Sequence, residues 1–261
     1  MTTIPPLADT HIHLLAGLDD GPKTPDVAVD MVRRAYEQGV RYSVALAHQN
    51  DDFQDNSPAR IQSAFAKLNE DLKANDLPMN VVVGSEVMVR TDALEAFDRG
   101  ELLTYGNAGK YILLEMPHGL CVEVGWLVER FVAKGVRPIL AHAERCPELL
   151  ESPEMTERLI RLGCIIQVTS MGITHPSDRT VQNALKDWFR RGIAHVLGSD
   201  GHSLNRRPPD MRDAYLRIRD WAGVEVADRV GSTQGIAVLN GMPLRAPPVA
   251  PPERRWFARF W

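Results

Sequence analysis

Short apolar runs alternate with amphipathic stretches seven times along this chain. The runs cover 8–14, 42–47, 80–87, Tyr111–Glu115, 137–141, 164–168 and 194–198. Between them, 25–38, Pro58–Ala74, 121–133, Pro153–Arg161 and 179–189 carry apolar residues near i, i+3, i+4 and i+7, the spacing of one helical face. Punctuation agrees with that division. Thr24-Pro25, Ser57-Pro58 and Ser152-Pro153 each pair an N-cap hydroxyl with proline at the first helical position. Gly39, Gly135, Gly163 and Gly192 each follow a helical stretch, where a C-terminal cap needs positive φ. Helix, glycine, then an apolar run is the pattern of a parallel sheet. Seven such units in 261 residues favour a single α/β barrel over an open sheet.

Composition adds little to fold and more to location. Hydrophobic residues make up 44% and charged residues 25%, enough apolar material for a core. A net charge of −4 argues against a nucleic-acid partner. No apolar run nears the ~20 residues of a transmembrane helix, and no signal peptide is visible at the N-terminus, so the expected location is cytoplasmic. Three scattered cysteines, Cys121, Cys146 and Cys164, suggest no disulfide and a reducing compartment. The barrel is expected over 1–245, followed by a proline-rich tail, 246–261, with a basic-aromatic end. That end is either packed or loose, or a patch for a partner or membrane surface.

The chemistry falls at the ends of the runs. The first ends in Asp9-Thr10-His11-Ile12-His13, and alternation in a strand points His11 and His13 the same way. His48, Glu86, His142 and the pair Asp200 and His202 end four more. Barrel active sites lie at the carboxyl ends of the strands, so these side chains converge there. One such residue is easily structural; five strands ending in metal-ligand types point to a metal centre. Asp19-Asp20-Gly21-Pro22 reads as a turn and also offers a carboxylate beside the histidines. Glu115 reads as a supporting residue at most, His118 as a cleft or loop residue, and His175 and His195 as ordinary positions. Trp126 and Trp188 read as core.

The set HIHLLAGLDDGPK, GSE, LLEMPHG, ILAHAER and GSDGH resembles the PHP (polymerase and histidinol phosphatase) superfamily. LDDGPK and LAHAER most resemble its CpsB/YwqE-type protein-tyrosine phosphatases of capsule and exopolysaccharide systems. The likeness spans roughly 8–240. It implies a distorted (β/α)7 TIM-like barrel with three divalent metal ions, manganese first, iron or zinc as alternatives. It assigns His11, His13, Glu86 and Asp200 to one ion, Glu86, His48 and His142 to a second, and Asp20, His48 and His202 to a third. His48 is thus counted twice, although one imidazole nitrogen normally serves one ion. Arg145 matches the phosphate-binding arginine, with Arg206 or Arg207 as a second. Gln49, Asn50 and Cys146 depart from the pattern at positions expected to touch substrate.

The resulting expectation is hydrolysis of phosphotyrosine by direct attack of metal-activated hydroxide, with Arg145 and Arg207 holding phosphate and His202 a candidate proton donor. The partner would be a phosphotyrosine protein, with a bacterial tyrosine kinase of polysaccharide export as the candidate. A cysteine nucleophile is excluded: the residues six past each cysteine are Leu127, Ser152 and Ser170, not arginine. No Walker-type loop or Gly-x-Ser-x-Gly elbow is present. The competing readings are a phosphatase of small esters such as histidinol phosphate, and a non-catalytic metal-binding interaction protein.

Overall fold

In the computed structural model, described for residues 3–244 and 249–250, the seven apolar runs become parallel strands whose carboxyl ends meet at one mouth. Two of the runs are kinked, so nine strands are drawn among the described residues. They are β1 Leu7–Asp9, β2 Val40–Ala45, β3 His48–Gln49, β4 Asn80–Val83, β5 Glu86–Met88, β6 Tyr111–Glu115, β7 Arg137–Leu140, β8 Ile165–Thr169 and β9 Val196–Gly198. One sheet has the order β1-β2-β4 and the other β3-β5-β6-β7-β8-β9. Backbone bonds from Gly84 to Ala45 and from Glu86 to Ala47 carry the pairing across the kinks, at 3.1 and 3.0 Å.

The ring joins its first and last strands through an Ile12–Gly201 bridge and through Thr10 N–H donating to Leu197 O, 3.1 Å. Gly198 is required there: a Cβ on it would lie 2.4 Å from the Cβ of His11. Seven strand segments with helices outside them make a distorted (β/α)7 barrel, as expected.

The helices Pro58–Ala74 and Pro153–Arg161 have their expected bounds. Thr24 and Ser57 accept hydrogen bonds from the backbones of Val27 and Arg60, as caps should. Ser152 makes no side-chain cap bond, because it also ends the short helix Pro147–Glu151 and its backbone is shared between the two. Gly39, Gly135, Gly163 and Gly192 all take positive φ. The expected 121–133 helix begins only at Gly125, since Cys121–Val124 is drawn into a loop.

Three apolar clusters fill the molecule, the largest between the sheet and the helices around Phe131, Trp188 and Phe189. Trp188 is fully buried, whereas Trp126 is 37% exposed and is not core as expected. Of the tail, only Val249 and Ala250 fall among the described residues. Ala250 N–H donates to Arg191 O, and Arg191 Nε donates to Ala250 O, each at 2.8 Å. The basic-aromatic end lies outside the described residues. Among the described residues, no helix is long and apolar enough to cross a membrane.

Candidate metal centre

Strand register alone gathers much of the mouth. His48 on β3 pairs with Glu86 on β5, and Met88 pairs with Glu115 at the end of β6. Glu86 is 1% exposed, and its two oxygens divide the site. Oε2 lies 3.1 Å from the Nε2 atoms of both His11 and His13, and 3.3 Å from His48 Nδ1. Oε1 lies 3.0 Å from His142 Nε2. Asp200 Oδ1 stands 3.3 Å from His11 Nε2. Asp20 Oδ1 lies 3.2 Å from His202 Nε2 and 3.5 Å from His48 Nε2.

The first two imidazoles are oriented from behind. His11 Nδ1 donates to Gln167 Oε1 and His13 Nδ1 to Asp19 Oδ2, both at 2.7 Å. Each ring is then left with Nε2 lone pairs facing the other at 3.3 Å. Both Nε2 atoms also lie 3.1 Å from Glu86 Oε2, a cluster of nitrogens on one carboxylate oxygen that protons or a bound cation can hold together. Asp19 also accepts from the backbones of His48 and Gly21, which folds the LDDG turn onto β3. Of the two aspartates in that turn, Asp19 is the buried support and Asp20 the one whose oxygen enters the mouth.

His142 and Asp200 follow the ends of β7 and β9 with φ of +32° and +55°. A non-glycine residue is costly in that region, and such outliers cluster at sites that need a side chain aimed against the run of the strand.

Several atoms and charges in the mouth go unanswered by protein. His48 Nδ1, Glu115 Oε2 and His202 Nε2 are buried without hydrogen-bond partners. Five carboxylates, those of Asp19, Asp20, Glu86, Glu115 and Asp200, face two guanidinium groups, those of Arg145 and Arg207. Buried negative charge needs protons or cations. Burial pushes the His142 ring down, but Glu115 and Glu86 more than reverse this and raise it to about 10. Burial likewise raises the Glu86 carboxyl, and His11, His13 and His142 pull it well below the ordinary value. Imidazole nitrogens and carboxylate oxygens are a donor set for borderline and hard divalent ions, so the residues present fit a cluster of such ions.

Both arginines converge on Asp200 Oδ2: Arg145 Nη2 at 2.5 Å and Arg207 Nη2 closer still. Arg207 Nη1 also lies 3.7 Å from Asp20. Arg206 is exposed and does not line the mouth. His118 does, from an exposed position on the rim of a cavity of about 440 Å³.

Four expectations need correcting. Glu115 is no remote support, because its oxygens reach 3.5 Å from both His48 and His142. Its place at the end of an apolar run was the available signal, the same one that marked Glu86. Gln49 and Asn50 do not face substrate. The Gln49 amide is buried between Ser85, Leu103, Asn56 and Glu101, and Asn50 caps the turn Asp51–Phe53. Cys121 and Cys146 form a disulfide, leaving only Cys164 free, because strands β6 and β7 are neighbours and bring together loops that are 25 residues apart. His202, expected as both metal ligand and proton donor, has one nitrogen free for either role, since its Nδ1 donates to Asp200 O at 2.9 Å. His195 lies inside the barrel wall and accepts from Ile166 N–H, an ordinary position as expected.

Known proteins resemble this chain over most of its length. YwqE, a tyrosine-protein phosphatase of Bacillus subtilis, is 27% identical over 97% of this chain and all of its own length. CpsB, a tyrosine-protein phosphatase of Streptococcus pneumoniae, is 27% identical over 85% of this chain and 93% of its own. A solved structure from work on those two, described as metal-dependent tyrosine phosphatases, superposes with a TM-score of 0.87 at 26% identity, covering 94% of this chain and 99% of that one. The histidinol phosphate phosphatase of Lactococcus lactis matches over 85% of this chain and 94% of its own at a TM-score of 0.54 and 11% identity, a likeness of fold alone. The model of the CpsB/CapC capsular polysaccharide synthesis family matches residues 7–240, and the chain belongs to that family.

Proposed function

We propose that this protein is a metal-dependent protein-tyrosine phosphatase that removes phosphate from phosphotyrosine proteins in capsule or exopolysaccharide regulation. The observation that carries this reading is the placement of Arg145 and Arg207 against the carboxylate and histidine cluster, at a mouth open to solvent. The relatives named tyrosine phosphatases support it.

We assign three divalent ions, manganese by preference. His11, His13, Glu86 and Asp200 would hold the first. Glu86, Glu115 and His142 would hold the second, where Glu115 takes the place given to His48. Asp20, His48 Nε2 and His202 Nε2 would hold the third, which would otherwise have two protein ligands. Bound ions supply charge neutralisation for the phosphoryl oxygens and a lowered pKa for water.

The remaining work falls to the chain. Arg145 and Arg207 present planar forks to phosphate oxygens, leaving Asp200 as they do so. Gln167 and Asp19 hold the His11 and His13 rings in one tautomer. With His202 committed to an ion through its single available nitrogen, the departing phenolate takes its proton from solvent water at the open mouth. The protein partner is a phosphotyrosine-bearing chain, with a tyrosine kinase of polysaccharide export the leading candidate. Because such kinases use ATP, we place the enzyme in the cytoplasm.

The test is hydrolysis of a phosphotyrosine peptide and of histidinol phosphate, each with added manganese and with chelator. Chelator-sensitive turnover that prefers the peptide is expected. Preference for histidinol phosphate would keep the metal chemistry and move the substrate to small esters, and metal-loaded protein inert toward both would point to a binding role.

A further inference from the structure

The bridge between Cys121 and Cys146 stands at the mouth of the metal centre, and both cysteines line its cavity. Cys146 directly follows Arg145, in the turn that also carries His142. Cys121 lies in the loop from Glu115 to the helix Gly125–Ala133, which carries His118 and Leu120, the latter 61% exposed. Among the described residues, no backbone hydrogen bond joins 117–123 to the rest of the fold. The one bond there, from Leu120 N–H to Pro117 O, is internal to the loop. The loop is held by apolar packing of Cys121 and Val122, by Glu123, whose Oε1 accepts from Gly125 N–H at 3.0 Å and lies 3.8 Å from Arg158, and by the bridge.

We propose that Cys121 and Cys146 are a reversible thiol–disulfide pair that latches this loop to the phosphate-arginine turn, so that the bridged enzyme binds phosphotyrosine peptides more tightly than the reduced one. Lining a cavity that solvent enters puts the bridge within reach of external thiols and disulfides. In the cytoplasm, where the proposed function places the enzyme, a protein bridge is a switch more often than a brace. Closure proceeds by exchange with a low-molecular-weight disulfide. The Cys121 thiolate, the less buried of the two, attacks one external sulfur and expels one external thiolate, leaving a mixed disulfide. The Cys146 thiolate then attacks Cys121 Sγ, expels the second external thiolate and completes the bridge. The two protein thiols lose two protons, and the external disulfide gains two electrons and becomes two thiols. Freed of the bridge, the loop samples positions in which the rim is incomplete, and apparent affinity falls with the fraction of competent mouth. The substrate arm rests on the phosphotyrosine reading; the latch itself does not.

The experiment uses the full-length, metal-loaded protein poised across a series of reduced and oxidised glutathione ratios. Thiols are trapped by alkylation and counted by mass. The same samples are assayed for turnover and for chymotrypsin cleavage at Leu120. Reduction is expected to expose two additional alkylatable cysteines, speed cleavage at Leu120, and raise KM for a phosphotyrosine peptide about 3- to 10-fold with kcat nearly unchanged. Cys121→Ser, and independently Cys146→Ser, should fix the reduced values and abolish the response, while Cys164→Ser should leave it intact. A bridge that never opens across the series, a KM that ignores its state, or a response that survives in Cys121→Ser would overturn the proposal. If no peptide is turned over at all, the substrate reading fails, and Leu120 cleavage still decides the latch.

Discussion

Two buried histidines in this molecule meet opposite fates. His142 at the mouth is 8% exposed and His195 in the barrel wall is 1% exposed, so burial acts on both. Burial depresses each ring, but His142 sits against Glu115 and Glu86 and is raised to about 10. His195 has no carboxylate beside it, and Arg137 and Arg229 add to the burial to push it down to about 4. The company a ring keeps, more than its depth, decides whether it gathers cations or stays neutral. The mouth is built around charge that the protein leaves unbalanced, and the wall around a neutral ring used as an acceptor.

The contrast is broken most severely at Glu86. Glu86→Gln keeps the shape but removes the charge that faces His11, His13, His48 and His142. Turnover should fall beyond the ~100-fold typical of losing an outer support, with bound metal, read by elemental analysis, falling alongside it. A variant that retains metal and activity within tenfold would mean that the cluster is not organised on this carboxylate.

A smaller effect is expected at His195. Its folded pKa of about 4 lies below the ordinary 6.5. The unfolded chain therefore takes up a proton first as pH falls. The neutral ring's contribution is complete above about 6.5 and is lost as pH drops toward 4, by at most about 3 kcal/mol. His195→Asn keeps an acceptor for Ile166 N–H without the titration. Its urea midpoint should change less between pH 7 and pH 5 than that of the parent, and equal slopes would refute the assignment. Smaller again in its effect on the centre is Gln167→Ala, which frees the His11 ring to turn. Metal affinity should drop about 10- to 100-fold in a competition titration while the melting profile keeps its shape.

Much of the plan was legible from residue order. Strand ends at His48, Glu86, His142 and Asp200 stand out because an apolar run that stops on a ligand-type residue repeats a local pattern. Pro58–Ala74 was legible because its cap, its first proline and its periodic face lie within one window. What escaped depends on neighbours distant in the chain. Glu115 is a ligand-type residue because register sets it two positions past Glu86's partner on the adjacent strand. The cysteine bridge depends on β6 lying beside β7. Gln49 was misread as a substrate contact because nothing local shows that its amide is held by Ser85 and Leu103.

The closure between β1 and β9 sets when the centre can exist. Asp200 N–H donates to His11 O at 2.7 Å, joining the first strand's end to the last. His11 and His13 leave the ribosome early, and their carboxylate partner at 200 follows about 10–40 s later at ordinary elongation rates. For part of that interval the imidazole pair also lacks the support of Gln167, and the donor set stays incomplete until residue 200 has been made. A chain cut short before β9 would keep seven of the eight histidines and yet lack Asp200, one of the four ligands proposed for the first ion.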